Sequence, residues 1–213
     1  MKPSSNKIRE ILAEYRVHSF YYFAHKLNLK GILENGILPL NEVKKLKIKH
    51  ITFANPDVQD KRETKKIKLS NGKLYSVHDL VPLYLTPKTP TLYSRKKEQR
   101  DYFFIVVQSF VISDEEIEFA FSDGNVASKT TRLFSNLAEL NKIPWEVINA
   151  KYWKNFEDGT RKRNAEFLIY PKIQINRFWR IVVNNNQLKD YIEKMLKDLN
   201  IDIEIRIDKT LFF

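Results

Sequence analysis

The stretch Tyr102 to Ile112, YFFIVVQSFVI, is an almost unbroken run of Val, Ile and Phe, and it constrains the fold more than any other segment. It is well short of the ~20 apolar residues needed to cross a membrane, and no other stretch of the chain approaches that length. It also lacks the apolar/polar alternation that would leave one face wet. It reads as a strand covered on both faces, and we expect it at the centre of a sheet.

Other elements can be placed around it. Ser4 and Ser5 are candidate N-caps for a short amphipathic helix carrying Ile8, Ile11, Leu12 and Tyr15. Phe20 to Ala24 reads as a strand, and Leu29 to Glu34 as a helix stopped by Asn35-Gly36. Lys44 to Lys73 is weakly periodic and rich in cations, which predicts mostly loop. Prolines 82, 87 and 90 limit VPLYLTPKTPTLY to extended pieces and turns. Ile117 to Phe121 is a further strand, followed by the turn residues Ser122-Asp123-Gly124-Asn125. Leu133 to Leu140 and Trp145 to Trp153 look helical, while Glu166 to Tyr170 and Phe178 to Val183 look like strands. Leu188, Tyr191, Ile192, Met195 and Leu199 form a helical stripe, and Ile201, Ile203, Ile205 and Ile207 alternate with charged residues as a half-buried strand. Strands and helices do not alternate regularly, so the fold class is α+β with a largely antiparallel sheet. With 43% hydrophobic and 13% aromatic residues, residues 1–213 can form one domain around one core.

The net charge is +11. Such a field raises encounter rates with polyanions and supplies phosphate contacts, making nucleic acid the leading partner class, although a soluble protein from a lysine-rich proteome has the same balance. The chain has no cysteine, which excludes disulfides, thiolate chemistry and Cys-containing zinc sites. A reducing cytoplasm suits it. MKPSSNKIREILAEY spreads its charges and is not a secretory signal, so we expect a soluble cytoplasmic protein without membrane association. GxGxxG, GxxxxGK[ST] and GxSxG are all missing, and no His/Asp/Glu spacing suggests a metal.

Four segments in order, FYYFAHKLNLKGILENGIL (20–38), NPDVQDKR (55–62), HDLVPLYLTPKTPTLY (78–93) and NAEFLIYP (164–171), resemble the DarT family, with a looser match in FSDGNVASKTTRLF (121–134). The resemblance implies an ADP-ribosyltransferase fold, related to bacterial ADP-ribosylating toxins and PARPs, with split antiparallel sheets flanked by helices and NAD+ in a cleft between two sheets. The implied reaction moves ADP-ribose from NAD+, as co-substrate and without a metal, to a base in single-stranded DNA. Thymidine is the expected base, with guanosine the alternative. It also implies a toxin used in phage defence and paired with a macrodomain antitoxin, DarG. We expect a monomer. The first sixteen residues form an N-terminal helical extension, 39–73 the NAD-binding loop element and 122–166 the substrate-recognition loop. The family often has His or Arg where Tyr22 stands and Thr where Ala24 stands, and its Pro-Arg-Ser-Pro reads Pro87-Lys88-Thr89-Pro90 here.

Glu166 lies between the cations Arg161, Lys162 and Arg163 and the apolar residues that follow it. A carboxylate at the start of a strand can bind a ribose hydroxyl and stabilise an oxocarbenium ion. On local sequence alone it reads first as a Glu that ends a strand and pairs with Arg163; the resemblance makes it catalytic. Arg62 is locally one cation of a solvated loop, and the resemblance places it against the NAD+ phosphates and near the target base as a second catalytic residue. A guanidinium is almost never deprotonated, so electrostatic activation of the base is the favoured role. Tyr22, Phe23, Ala24, His25, Gly31 and Pro39 match the cofactor-binding element, although a lone His after a strand is more often structural. His78 and Asp79 read equally as a turn-capping pair or as part of the site. For DNA, Tyr84, Lys88, Tyr93 and Arg95 interleave aromatic rings with cations, as stacking of unpaired bases requires. Asn125, Lys129, Arg132, Lys154, Arg161 and Arg163 are candidates to grip phosphates. Trp145, Tyr152 and Trp153 are expected in the core. Two other readings are a non-enzymatic single-strand-binding module and a related transferase acting on RNA or protein.

Overall fold

A computed structural model describes residues 2–52 and 56–213, with only the backbone described at 56–58. Helix α1 (Ser5–Glu14) starts where the Ser4 hydroxyl accepts the Lys7 N–H, and it buries Ile8 and Leu12. Strand β1 (Ser19–His25) leads into α2 (Leu29–Asn35). Gly36 ends that helix at φ +80°, and a Cβ there would sit 2.3 Å from the Ile173 carbonyl oxygen, so both conformation and space require glycine.

The expectation of a loop over 44–73 is only partly met. The segment holds the end of α3 (Leu40–Lys45), the helix α4 (Pro56–Glu63) and the hairpin of β2 (Lys66–Lys68) with β3 (Leu74–Ser76). Residues 53–55, including Asn55 of the NPDVQDKR motif, lie outside the described residues. Next come β4 (Val81–Tyr84), α5 (Pro90–Ser94), β5 (Tyr102–Gln108) and β6 (Glu118–Ser122). The segment 133–140 is not an α-helix: β7 (Leu133–Phe134) pairs with β6, and a 3-10 turn follows at Leu137–Lys142. The helix expected over 145–153 is confined to α6 (Trp145–Asn149). Helix α7 (Gly159–Arg163) then precedes β8 (Glu166–Tyr170), β9 (Phe178–Val183), α8 (Asn186–Asp198) and β10 (Glu204–Ile207).

Eight strands form one sheet in the order β10-β9-β5-β1-β4-β8-β6-β7. All neighbours are antiparallel except β9 and β10, which α8 joins as a parallel crossover. β5 is indeed buried on both faces, but β1 and β4 hold the centre.

The middle of the sheet is also its weak seam. β1 and β5 are in register from Ser19↔Gln108 to His25↔Tyr102, whereas β1 and β4 are registered at Tyr21↔Tyr84 alone. The implied cleft between two sheets is therefore an opening within one sheet. Below the seam the halves are held by the main core, in which Phe20 of β1 stacks on Phe167 of β8 at 4.3 Å between ring centroids. Each such buried aromatic contributes about 1.5–3 kcal/mol. On the opposite face are two smaller clusters, one with Phe23, Phe104, Val182 and Phe212, the other with Val77, Leu80, Ala120 and Leu168. The space between these clusters is where a ligand can enter.

Candidate active site

A cavity of about 440 Å³ occupies that space. Phe23 walls it on one side and Val77 and Leu80 on the other, while Tyr22, Tyr84, Arg62, Asn125 and Glu166 supply polar groups. The seam between β1 and β4 thus opens directly onto the polar side chains.

Glu166 is positioned from its backbone outwards. Its N–H donates to the Ser122 hydroxyl at 2.9 Å, and that hydroxyl donates to the Gly124 carbonyl at 2.7 Å, tying the start of β8 to the turn after β6. The carboxylate is nearly buried, and Arg62 grips it with both arms, Nη1 to Oε1 at 2.8 Å and Nη2 to Oε2 at 2.9 Å. The Val126 N–H adds a third donor to Oε1 at 3.3 Å. The pairing of Glu166 with Arg163 anticipated from local sequence does not occur. Burial works against charge on Arg62, but the adjacent Glu166 carboxylate outweighs it and holds the guanidinium above its ordinary value. Burial pushes the Tyr22 phenol up to about 12, and burial followed by the Glu166 charge does the same to Tyr84. At neutral pH both phenols are uncharged hydrogen-bond donors beside a charged pair. A carboxylate with its backbone fixed in this way can receive a sugar hydroxyl and face positive charge developing at the sugar carbon.

Of the other expected cofactor residues, Tyr22, Phe23 and Ala24 line the cavity. His25, Gly31 and Pro39 are not among the lining residues. The His25 ring accepts the Leu27 N–H at 3.3 Å and packs edge-on against Tyr102, Gly31 lies within α2, and Pro39 caps α3.

The expected DNA residues divide into several kinds. Arg163 is buried and donates to the carbonyls of Lys88, Val147, Ile148 and Ala150, so it braces the fold and is not a surface cation. Arg161 is largely engaged with Asp123, Asp158 and Thr131, and it organises the loop after β6. Arg132 joins Asp123 at 2.7 Å yet keeps most of its side chain in solvent. Lys129 and Lys154 are exposed. Tyr93 sits on α5 beside Phe213 and Trp153, with Lys88 over the Phe213 ring. Arg95 is half-exposed near Glu98, and Tyr84 and Asn125 belong to the cavity. Trp153 is buried as expected, and Trp145 packs against the core, but Tyr152 is 59% exposed.

Sequence reading missed Asn164, whose buried amide oxygen accepts both the N–H and the hydroxyl of Thr91 at the cavity wall. Its place two residues before Glu166 was the available signal. It also left out Lys65, between α4 and β2, whose ammonium donates to the Ser128 and Thr131 carbonyls and fastens that connection to the loop that carries Asn125.

Residues 21–213 match the family described as ssDNA thymidine ADP-ribosyltransferase, DarT. A DNA ADP-ribosyl transferase from Thermus sp. (strain 2.9) is 29% identical over 184 residues, covering 83% of this chain and 86% of the relative. A DNA ADP-ribosyl transferase-DNA ADP-ribosyl glycohydrolase fusion protein from Thermosipho africanus is 26% identical, covering 93% of this chain and 50% of its own length. The structure of Thermus sp. 2.9 DarT in complex with ADP-ribosylated ssDNA superposes with a TM-score of 0.83 at 25% identity, covering 93% of this chain and 97% of that one. The same Thermus protein in complex with NAD+ gives a TM-score of 0.76 at 25% identity, covering 92% and 98%. The α+β fold, with its largely antiparallel sheet opened between β1 and β4, is an ADP-ribosyltransferase fold. The chain belongs to the DarT family, whose members are NAD+-dependent transferases that modify single-stranded DNA.

Proposed function

We propose that this chain transfers ADP-ribose from NAD+ to thymidine in single-stranded DNA, releasing nicotinamide, with Glu166 as the catalytic carboxylate and Arg62 as its electrostatic partner. The observation that carries the residue assignment is the paired grip of Arg62 on Glu166 at the mouth of the sheet's seam. In this reading Glu166 receives a ribose hydroxyl and stabilises the cationic sugar as the bond to nicotinamide breaks. Arg62 stays charged throughout and polarises the acceptor base. Tyr22, Phe23 and Ala24 line the NAD+ seat. Lys88, Tyr93, Arg95, Lys129, Arg132 and Lys154 hold the strand outside it, with Tyr84 and Asn125 facing the reacting groups. An unpaired base enters such a cavity without the cost of breaking a duplex. Thymidine is favoured over guanosine by the description of the matching family.

The Thermosipho relative joins a transferase to a DNA ADP-ribosyl glycohydrolase in one protein. That union supports a toxin role for this chain, checked by a separate macrodomain of the DarG kind that removes the modification. Work against phage DNA in the cytoplasm, as a monomer, completes the reading. No helix among the described residues is long and apolar enough to cross a membrane.

Purified protein incubated with NAD+ and mixed-sequence oligonucleotides tests it by mass spectrometry. One ADP-ribose should add to strands that contain thymidine but lack guanosine, and not to strands with the reverse composition. Glu166→Gln should slow the transfer by about 10²-fold or more, the scale of losing a principal charge-stabilising group. Modification restricted to guanosine, or a fully active Glu166→Gln, would refute the acceptor or the carboxylate assignment respectively.

A further inference from the structure

His78 lines the catalytic cavity together with Arg62 and Glu166, and it is only 3% exposed. Among the described residues, neither ring nitrogen has a hydrogen-bond partner. The turn that carries it has no need of the ring. The Ser76 hydroxyl accepts the His78 N–H at 3.2 Å, and the Asp79 carboxylate accepts the Ser76 N–H at 2.9 Å and the Asn41 amide at 2.6 Å. Capping is complete without the imidazole, and the neighbouring Val77 and Leu80 would pack equally well against an apolar side chain. A buried polar ring with no partner carries a desolvation penalty that packing does not offset. Its presence on a cavity wall indicates that its partner comes with a ligand.

The surrounding charges indicate the chemistry of that ligand. Burial, followed by the positive charges of Arg62 on α4 and Lys44 on α3, keeps the ring below its ordinary value, against weaker opposition from Glu63 and Asp79. A neutral imidazole has one N–H to donate. The Arg62 guanidinium and that N–H on one wall, with the Lys44 charge acting on the ring from outside the lining, match a phosphate oxyanion. Two substrates of the reaction carry such groups, the pyrophosphate of NAD+ and the backbone of DNA. We propose that His78 is a phosphate-binding residue of this cavity, which turns toward the space it lines and donates a hydrogen bond to the NAD+ pyrophosphate.

This rests on the NAD+-dependent reading, and the experiment separates the two. Calorimetry would compare wild type, His78→Leu and His78→Gln for NAD+, ADP-ribose, adenosine and a single-stranded oligonucleotide, alongside the melting temperature of each protein alone. In His78→Leu, affinity for NAD+ and ADP-ribose should fall about tenfold or more, as expected for a lost hydrogen bond to a charged group. Affinity for phosphate-free adenosine should be unchanged, the melting temperature should hold or rise, and the donor in His78→Gln should recover part of the binding. Weakening confined to the oligonucleotide would keep the phosphate chemistry and move its source to the DNA backbone. Unchanged binding of every ligand, or equal weakening of adenosine, would overturn the proposal. If His78→Leu fails to fold, His78→Gln decides by the same comparison, since a phosphate donor of different reach must alter NAD+ and ADP-ribose affinity while sparing adenosine. Failure of the wild type to bind NAD+ would instead sink the transferase reading itself.

Discussion

Arg62 and Glu166 are 104 positions apart in the chain, and they meet through two parallel N–H···O bonds in a nearly buried setting. The planar fork of arginine makes this geometry possible; the point charge of a lysine cannot donate along two parallel lines to both oxygens. We expect Arg62→Lys to lower the rate of DNA modification by about 10²-fold, the scale of losing one preorganised donor at a charged centre. Single-turnover kinetics with a fixed oligonucleotide would measure it, and a rate within a factor of a few of wild type would show that charge alone suffices. Arg163 differs from Arg62 in kind. It too is a buried guanidinium near β8, but its donors end on backbone carbonyls, and burial holds it below its ordinary value. The two arginines look alike in sequence, and only the acceptors around them separate a candidate site residue from a brace.

Among the elements, the residues that follow α2 form part of the cavity wall, because Gly36 lets Ile37 exchange hydrogen bonds with Ile173 at 2.9 and 3.0 Å before Leu38 and Leu40 reach the site. Gly36→Ala would place a methyl group against the Ile173 carbonyl in a conformation that L-residues avoid. We expect a loss of about 2–4 kcal/mol, combining backbone strain with the broken bridge. Chemical denaturation monitored by circular dichroism would detect it, and an unmoved midpoint would contradict the strain argument. This turn was legible in the sequence because Asn35-Gly36 is a local stop signal. Helix α4 was not, since PDVQDKRE has no apolar stripe, and its only signals were Pro56 at the start and Lys61 and Arg62 near the end. The segment at 133–142 misled for another reason. Leu137 and Leu140 recur at a spacing that a 3-10 turn shares with an α-helix, and so few residues cannot separate a period of 3.0 from one of 3.6.

At the scale of the whole molecule, the net charge of +11 becomes a binding surface only where cations are left without acidic neighbours. Arg161 and Arg163 are largely taken up inside the fold, and Lys88 is partly buried with its ammonium over the Phe213 ring, while Lys129, Lys154 and much of Arg132 face solvent. If three or four of these contact the strand, the logarithm of affinity for single-stranded DNA should fall with the logarithm of salt at a slope of roughly −2 to −3. Fluorescence anisotropy over a salt series would measure the slope, and Lys129→Gln should flatten it by about 0.7. A salt-independent affinity would remove the phosphate-gripping role from this surface.

The sequence by itself determined those elements whose pattern reports burial locally. These include the apolar run of β5, the strands β8 and β9, the stripe of α8, and the antiparallel α+β character that follows from their order. The ordered motifs also located Glu166 and Arg62. Tertiary structure alone decided that these two side chains grip each other, that the sheet's weak seam falls between β1 and β4, and that His78 lines a cavity without a partner among the described residues. The physical reason is that periodicity records which face of an element leaves water, but not what it is buried against. Ion pairs and cavities depend on which groups, far apart in the chain, are brought together where water is excluded.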